Sequence, residues 1–162
     1  MDYLTGLKIL KGRSMSEKEK NKKRFSELTL LKKSKTKYPD SPEKAELEVF
    51  ENLYSSRDYE IIFDCPEFTS LCPVTGQPDF GHITITYIPD RYCVESKSLK
   101  IYLFSYREHN TFHEEAVNSI LDAVVKSCSP RRAEVRGEFR PRGGIAIRVR
   151  AVYEKKAGKS NE

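Results

Sequence analysis

Hydrophobic and polar positions alternate most clearly over residues 81–89, where Ile83, Ile85 and Tyr87 are separated by Thr84 and Thr86. A period of two places the apolar side chains on one face of a strand and the threonines on the other. A second run over residues 57–65 contains Tyr59, Ile61, Ile62 and Phe63 and predicts another strand. The segment between them, Cys65 through Phe80, reads as a Cys- and Pro-rich loop. The period then lengthens. Leu99, Ile101, Tyr102, Leu103 and Tyr106 predict a mostly buried helix over residues 96–106. Ala116, Val117, Ile120, Leu121 and Val124 predict a second helix over residues 111–126, with Thr111 as its cap, Glu114 three residues on as in a capping box, and Pro130 as its stop. Residues 133–139 and 144–153 predict two more strands around the hairpin-like turn Arg140-Pro141-Arg142-Gly143-Gly144. A shorter helix is expected over residues 44–53, capped by Ser41 with Pro42 in its first turn. The main order is ββααββ. It predicts an α+β fold, an antiparallel four-stranded sheet with two helices on one face.

Length and charge then divide the chain. Its 162 residues fit one domain with one core. The net charge of +5 is uneven: residues 1–38 carry twelve basic and four acidic side chains, +8, so the remainder carries −3. The expected organisation is a basic, flexible N-terminal arm over residues 1–45, one domain over 46–155 and a polar tail over 156–162. Such an arm either touches nucleic acid or an acidic surface, or is a solvated extension. No apolar run approaches the roughly 20 residues that span a bilayer, so no membrane association is expected. Residues 1–6 lack the apolar core of an export leader, and four cysteines are too few for a disulfide framework. A cytoplasmic location with reduced thiols is the expectation.

The candidate chemistry lies in a few polar positions. Cys72 is either a small buried hydrophobe or a nucleophile, which requires a positive or hydrogen-bonding environment to form a thiolate. Cys65, His82 and His113 are conceivable metal partners for it, but their spacing matches no zinc pattern. Asp79 is either a turn residue or a general acid. Glu95 and Glu114 are carboxylates able to accept a ring N–H and an exocyclic amine side by side from a guanine-like base, with His113 beside Glu114. Glu114 has the alternative role of helix cap. Lys97, Lys100 and Arg142 suit phosphate, Ser96 and Ser98 stand at a helix N-terminus, and Gly143 and Gly144 allow close backbone approach. No Gly-x-Gly-x-x-Gly run is present, so no Rossmann cofactor site is indicated.

Three dense stretches together resemble the 7-cyano-7-deazaguanine reductases, the nitrile reductases of queuosine biosynthesis, in their short single-module form. The stretches are Cys65 through Phe80, then Glu95-Ser96-Lys97-Ser98-Leu99-Lys100, and Phe112-His113-Glu114 with Pro141-Arg142-Gly143-Gly144-Ile145 downstream. The resemblance spans residues 57–147 and excludes the lysine-rich arm. It implies a tunnelling fold, in which sheets join edge to edge into homo-oligomeric rings with substrate sites between subunits. It implies Cys72 as the nucleophile that forms a covalent thioimide with the nitrile, and Asp79 as the proton donor. The substrate, a free 7-deazaguanine base, would be held by Val94, Glu95, Ser96, His113 and Glu114. Ser96, Lys97, Ser98, Lys100, Arg142 and Gly143 would hold NADPH, two equivalents of which complete the reduction. No metal and no direct tRNA contact are expected. A zinc-dependent hydrolase of the same fold and a nucleic-acid-binding module acting through the arm are the competing readings.

Overall fold

The computed structural model describes residues 38–156. Residues 1–37 of the expected arm and residues 157–162 of the tail lie outside the described residues. The framework is a four-stranded antiparallel sheet in the order β2-β3-β5-β6. Its strands are β2 (Ile61–Leu71), β3 (Pro78–Ile88), β5 (Arg132–Phe139) and β6 (Arg148–Glu154). Alternation sets its two faces. Ile83, Ile85 and Tyr87 of β3 and Ala133, Val135 and Phe139 of β5 are buried, while Arg136 and Glu138 are exposed on the opposite side. Each buried Ile or Val contributes roughly 1.5–3 kcal/mol, so this face holds the sheet to its helices.

Those helices are α1 (Ser96–Phe104) and α2 (His113–Cys128), joined by a 3-10 turn over Ser105–Glu108. Helix α2 buries Ala116, Val117, Ile120, Leu121, Val124 and Cys128 against β5 and β6. It stops at Ser129, whose φ of 44° is left-handed, and the buried Pro130 cannot continue it. Helix α1 turns Leu99 and Tyr102 inward, and the Tyr102 and Tyr106 hydroxyls meet at 3.0 Å inside the core.

Four expectations are corrected. Residues 44–53 are not a helix. A 3-10 turn covers only Pro42–Lys44, Ser41 makes no side-chain cap, and β1 (Val49–Glu51) follows. Leu47 and Val49 alternate with Glu46 and Glu48, and pairing of β1 with β4 (Tyr92–Val94) overrides helix propensity. The resulting two-stranded sheet is absent from the ββααββ order. Second, Cys65 through Phe80 is mostly strand: β2 runs to Leu71, β3 begins at Pro78, and only residues 72–77 turn. Pro66 is accommodated because the register slips by one residue between Cys65 and Phe68, a bulge that needs no ladder N–H there. Third, Phe112 rather than Thr111 precedes α2, and Glu115 rather than Glu114 accepts the Phe112 N–H, at 3.1 Å. Glu114 is thereby left exposed, with its carboxylate free of capping. Fourth, the packed body begins before residue 46. Pro42 is buried and the Tyr38 ring lies 4.2 Å from that of Phe104.

Candidate active site

The hairpin turn that joins β2 to β3 carries Cys72. The Cys72 N–H donates to the Gln77 carbonyl at 2.9 Å and the Gly76 N–H to the Cys72 carbonyl at 2.8 Å. Gly76 takes a φ of 67°, which a side chain would resist. The turn curls donors around the thiol. The Thr75 hydroxyl, the backbone N–H groups of Thr75 and Val74, and the Arg142 guanidinium lower its pKa to about 7. About half of it is therefore thiolate at neutral pH. Burial has the opposite effect on Cys65 and Cys128, whose thiols are pushed up. Cys72 is thus set apart from them by its lowered thiol.

Asp79 stands on β3 on the same face as Ile83, Ile85 and Tyr87, and is 6% exposed. Two cations or potential cations meet its Oδ1: Arg142 Nη2 at 2.9 Å and His113 Nε2 at 3.2 Å. Oδ2 makes no hydrogen bond among the described residues. Arg142 also donates to the Gln77 and Pro78 carbonyls, both at 3.1 Å, so one guanidinium ties the carboxylate to the strand start, and it is the least of the influences that lower the Cys72 thiol. Its own position comes from a two-residue turn. Arg142 and Ile145 exchange backbone hydrogen bonds of 3.0 Å each way, and Gly143 and Gly144 between them have φ of 55° and 82°. Positive φ at both positions is the turn that suits a tight hairpin, and glycine adopts it without cost.

His113 is positioned by Phe139, on which its ring stacks at 3.9 Å and 14°. Phe139 has room because two strand glycines lack a side chain. A Cβ on Gly137 would lie 2.6 Å from Val117 Cγ2 and 2.8 Å from the Phe139 ring, and one on Gly81 would lie 2.8 Å from that ring. The His113 Nε2 is buried without an aligned hydrogen bond, despite its proximity to Asp79. Thr75, Phe139 and Ser70, the residue paired with Asp79 across the sheet, were not singled out from sequence. The Thr-Gly pair at the turn tip was a usable signal for Thr75.

A second group gathers at the start of α1. The Glu95 carboxylate caps the helix, accepting N–H from Lys97 at 2.7 Å and from Ser98 at 2.8 Å, and these bonds hold its pKa below the ordinary value. The Ser98 hydroxyl donates to the Glu95 carbonyl at 2.8 Å and accepts the Glu48 N–H at 2.9 Å, so it is satisfied within the chain. The Ser96 hydroxyl is exposed, 3.4 Å from Glu95 Oε1. Val94 is in the core and gives its N–H to the Tyr87 hydroxyl at 2.9 Å. Lys97 and Lys100 are exposed and make no ion pair among the described residues. Lys100 borders a cavity of about 350 Å³ floored by Phe63, Phe68 and Leu99 against the β2 bulge. No hydrogen bond or ion pair joins this group to the Cys72 group among the described residues. The structure therefore brings together Cys72, Asp79, His113 and Arg142, with Glu114 adjacent, and leaves residues 94–100 as a separate surface. Three potential metal ligands do not converge anywhere among the described residues. No helix of the described residues is long and apolar enough to cross a membrane.

The chain is similar to known proteins. The family model described as QueF-like protein matches residues 78–158. The NADPH-dependent 7-cyano-7-deazaguanine reductase of Streptococcus mutans is 55% identical over 123 residues, 76% of each chain. That of Streptococcus thermophilus is 54% identical over 133 residues, 82% of this chain and 79% of the relative. That of Bacillus mycoides is 54% identical over 123 residues, 76% of this chain and 74% of the relative. The crystal structure of the archaeosine synthase QueF-Like in the apo form superposes with a TM-score of 0.53 at 21% identity, covering 62% of this chain and 96% of that one, which shows a shared fold. With half its residues identical to those reductases over three quarters of its length, the chain belongs to the QueF-like family.

Proposed function

We propose that this protein is an oxidoreductase that reduces the nitrile of 7-cyano-7-deazaguanine to the aminomethyl group with two NADPH, a step that supplies queuosine biosynthesis. The observation that carries the reading is the thiol of Cys72, lowered to about 7 beside a buried carboxylate. A nitrile is a poor hydride acceptor. Addition of the Cys72 thiolate to its carbon, with a proton passing to its nitrogen, converts it to a thioimide, a better one. Asp79 is the proton donor, through Oδ2, because Oδ1 is held by Arg142 and His113. Loss of the thiolate after the first reduction regenerates Cys72 and leaves an imine. The imine stays bound until the second reduction, which takes up a further proton.

Glu114, exposed in the first turn of α2 beside His113, accepts the paired N–H donors of the base. Val94, Glu95 and Ser96 complete base recognition; the Glu95 carboxylate is engaged as a cap, and the exposed Ser96 hydroxyl makes only a long 3.4 Å bond to it that a base can replace. NADPH supplies the hydride equivalents. Among the described residues, its anionic phosphates fit Lys97 and Lys100 at the start of α1, which make no ion pair there, with the Gly143 turn open to backbone approach. Arg142 is held by Asp79, so the phosphates fall to the lysines.

The fold is read as a tunnelling fold. Strands β2 and β6 are the edges of the larger sheet, and edge-to-edge joining of subunits into a ring would cover them. A substrate site between subunits lets residues 94–100 and the Cys72 group, unconnected within one chain, act on one molecule. The ligand is the free base in the cytoplasm, without tRNA contact. The test is NADPH oxidation by the purified protein on addition of 7-cyano-7-deazaguanine. Two NADPH consumed per nitrile supports the reading. No oxidation, with thiols reduced and the oligomer intact, refutes it.

A further inference from the structure

Ser70 is the cross-strand partner of Asp79, completely buried, and its hydroxyl has no hydrogen-bond partner among the described residues. Most buried hydroxyls are bonded, so an idle one beside a reactive carboxylate requires an explanation. Its place is set by the bulge in β2. Before the slip, odd-numbered residues face inward, as Ile61, Phe63 and Cys65 do; after it Phe68 and Ser70 do. Without the extra residue Ser70 would face the open side of the sheet. Directly opposed residues on one face have Cβ atoms about 5 Å apart, within reach of a serine rotamer change.

We propose that Ser70 is a positioning residue for the acid, donating its O–H to the Asp79 carboxylate that remains once the proton has passed to the substrate nitrogen. This rests on the reading of Asp79 as the proton donor. The bond is absent in the free protein, where Oδ1 lies against Arg142 and His113, and is placed in the complex with substrate, where it favours the state after transfer over the state before it. Stoichiometry is preserved. The proton on Asp79 Oδ2 goes to the nitrile nitrogen, the Ser70 proton stays on its own oxygen, and Asp79 is reprotonated from solvent before the second reduction. The other titratable or charged groups facing Asp79 are Cys72 from the β2–β3 turn, His113 from α2 and Arg142 from the Gly143-Gly144 turn.

The test compares the full-length protein with Ser70→Ala and Ser70→Thr under saturating 7-cyano-7-deazaguanine and NADPH. Ser70→Ala is expected to lower kcat about tenfold, less than the roughly 100-fold or greater contribution of a general acid itself, with KM little changed. Thermal stability is maintained or improved, because an unpartnered hydroxyl is removed. Ser70→Thr restores kcat. If Ser70→Ala does not fold, Ser70→Cys keeps the volume with only a weak donor and carries the same comparison. A folded Ser70 variant lacking the hydroxyl, with unchanged kcat, overturns the proposal. Failure of the parent protein to oxidise NADPH overturns the reductase reading instead, so the two failures are distinct.

Discussion

Around Cys72 the charged groups are paired with one another, whereas at the start of α1 the lysines make no ion pair among the described residues. The Arg142 guanidinium links Asp79 and two carbonyls, and the ring of His113 is fixed on Phe139. At α1 the acid is the element already satisfied: Glu95 caps the helix, and Lys97 and Lys100 are exposed. Chemistry requires groups held in place before the substrate arrives, because reorganisation during the reaction adds to the barrier. Capture of an anionic ligand requires cations without a prior partner. The contrast supports the proposal that reaction belongs to the first region and phosphate binding to the second.

Substitutions at Cys72 and Asp79 should have the largest effects. Cys72→Ala is expected to reduce turnover to background, measured by NADPH oxidation. Asp79→Ala should retain binding of the base in equilibrium dialysis but lower kcat about 10²- to 10⁴-fold. A near-normal rate in either variant breaks the assignment of chemistry to this region.

At α1 the expected signature differs in kind. Lys97→Ala with Lys100→Ala should raise KM for NADPH about tenfold or more while kcat changes little, with the loss largest at low salt. A loss confined to kcat would contradict the binding role.

Thr75→Val sharpens the picture at Cys72. Thr75 is the largest contributor to the lowered thiol, so its removal should shift the pH midpoint of iodoacetamide alkylation upward from about 7. The thiolate is the reactive form, so alkylation at pH 7 should fall several-fold and recover as pH rises. An unchanged midpoint would mean that Thr75 does not activate the thiol.

The smallest effect is expected at Glu95. Glu95→Gln should lower the melting temperature by a few degrees at neutral pH. The folded carboxyl lies below its ordinary value of 4.5, so its stabilisation is complete above that pH and is lost as pH falls through the lower folded value. The difference between parent and variant should therefore vanish in acid. A large loss of stability-independent activity would instead place the carboxylate on the substrate.

How much of this was legible in the sequence depended on distance along the chain. The inward placement of Asp79 continues the alternation of Ile83, Ile85 and Tyr87 on one strand, and the same pattern fixes the core. The Gly143-Gly144 turn was likewise visible as a local signal. Ser70 was not, because one inserted residue in β2 reverses which side chains face inward, and periodicity cannot register such a slip. The Arg142–Asp79 and His113–Asp79 contacts join three distant segments and arise only from sheet register and helix packing. The capping role of Glu115 was missed by one residue, which matters because it decides that Glu114 is free. Strand β1 was missed because its short Glu-rich run lacks a strong period, and its pairing with β4 is nonlocal.

The most direct measurement is intact-protein mass spectrometry after mixing with 7-cyano-7-deazaguanine in the absence of NADPH, followed by peptide mapping. The account predicts one added substrate mass per chain, localised to Cys72, lost in Cys72→Ala and discharged when NADPH is added. No adduct under conditions where the protein turns over, or an adduct on Cys65, Cys93 or Cys128 instead, would contradict it.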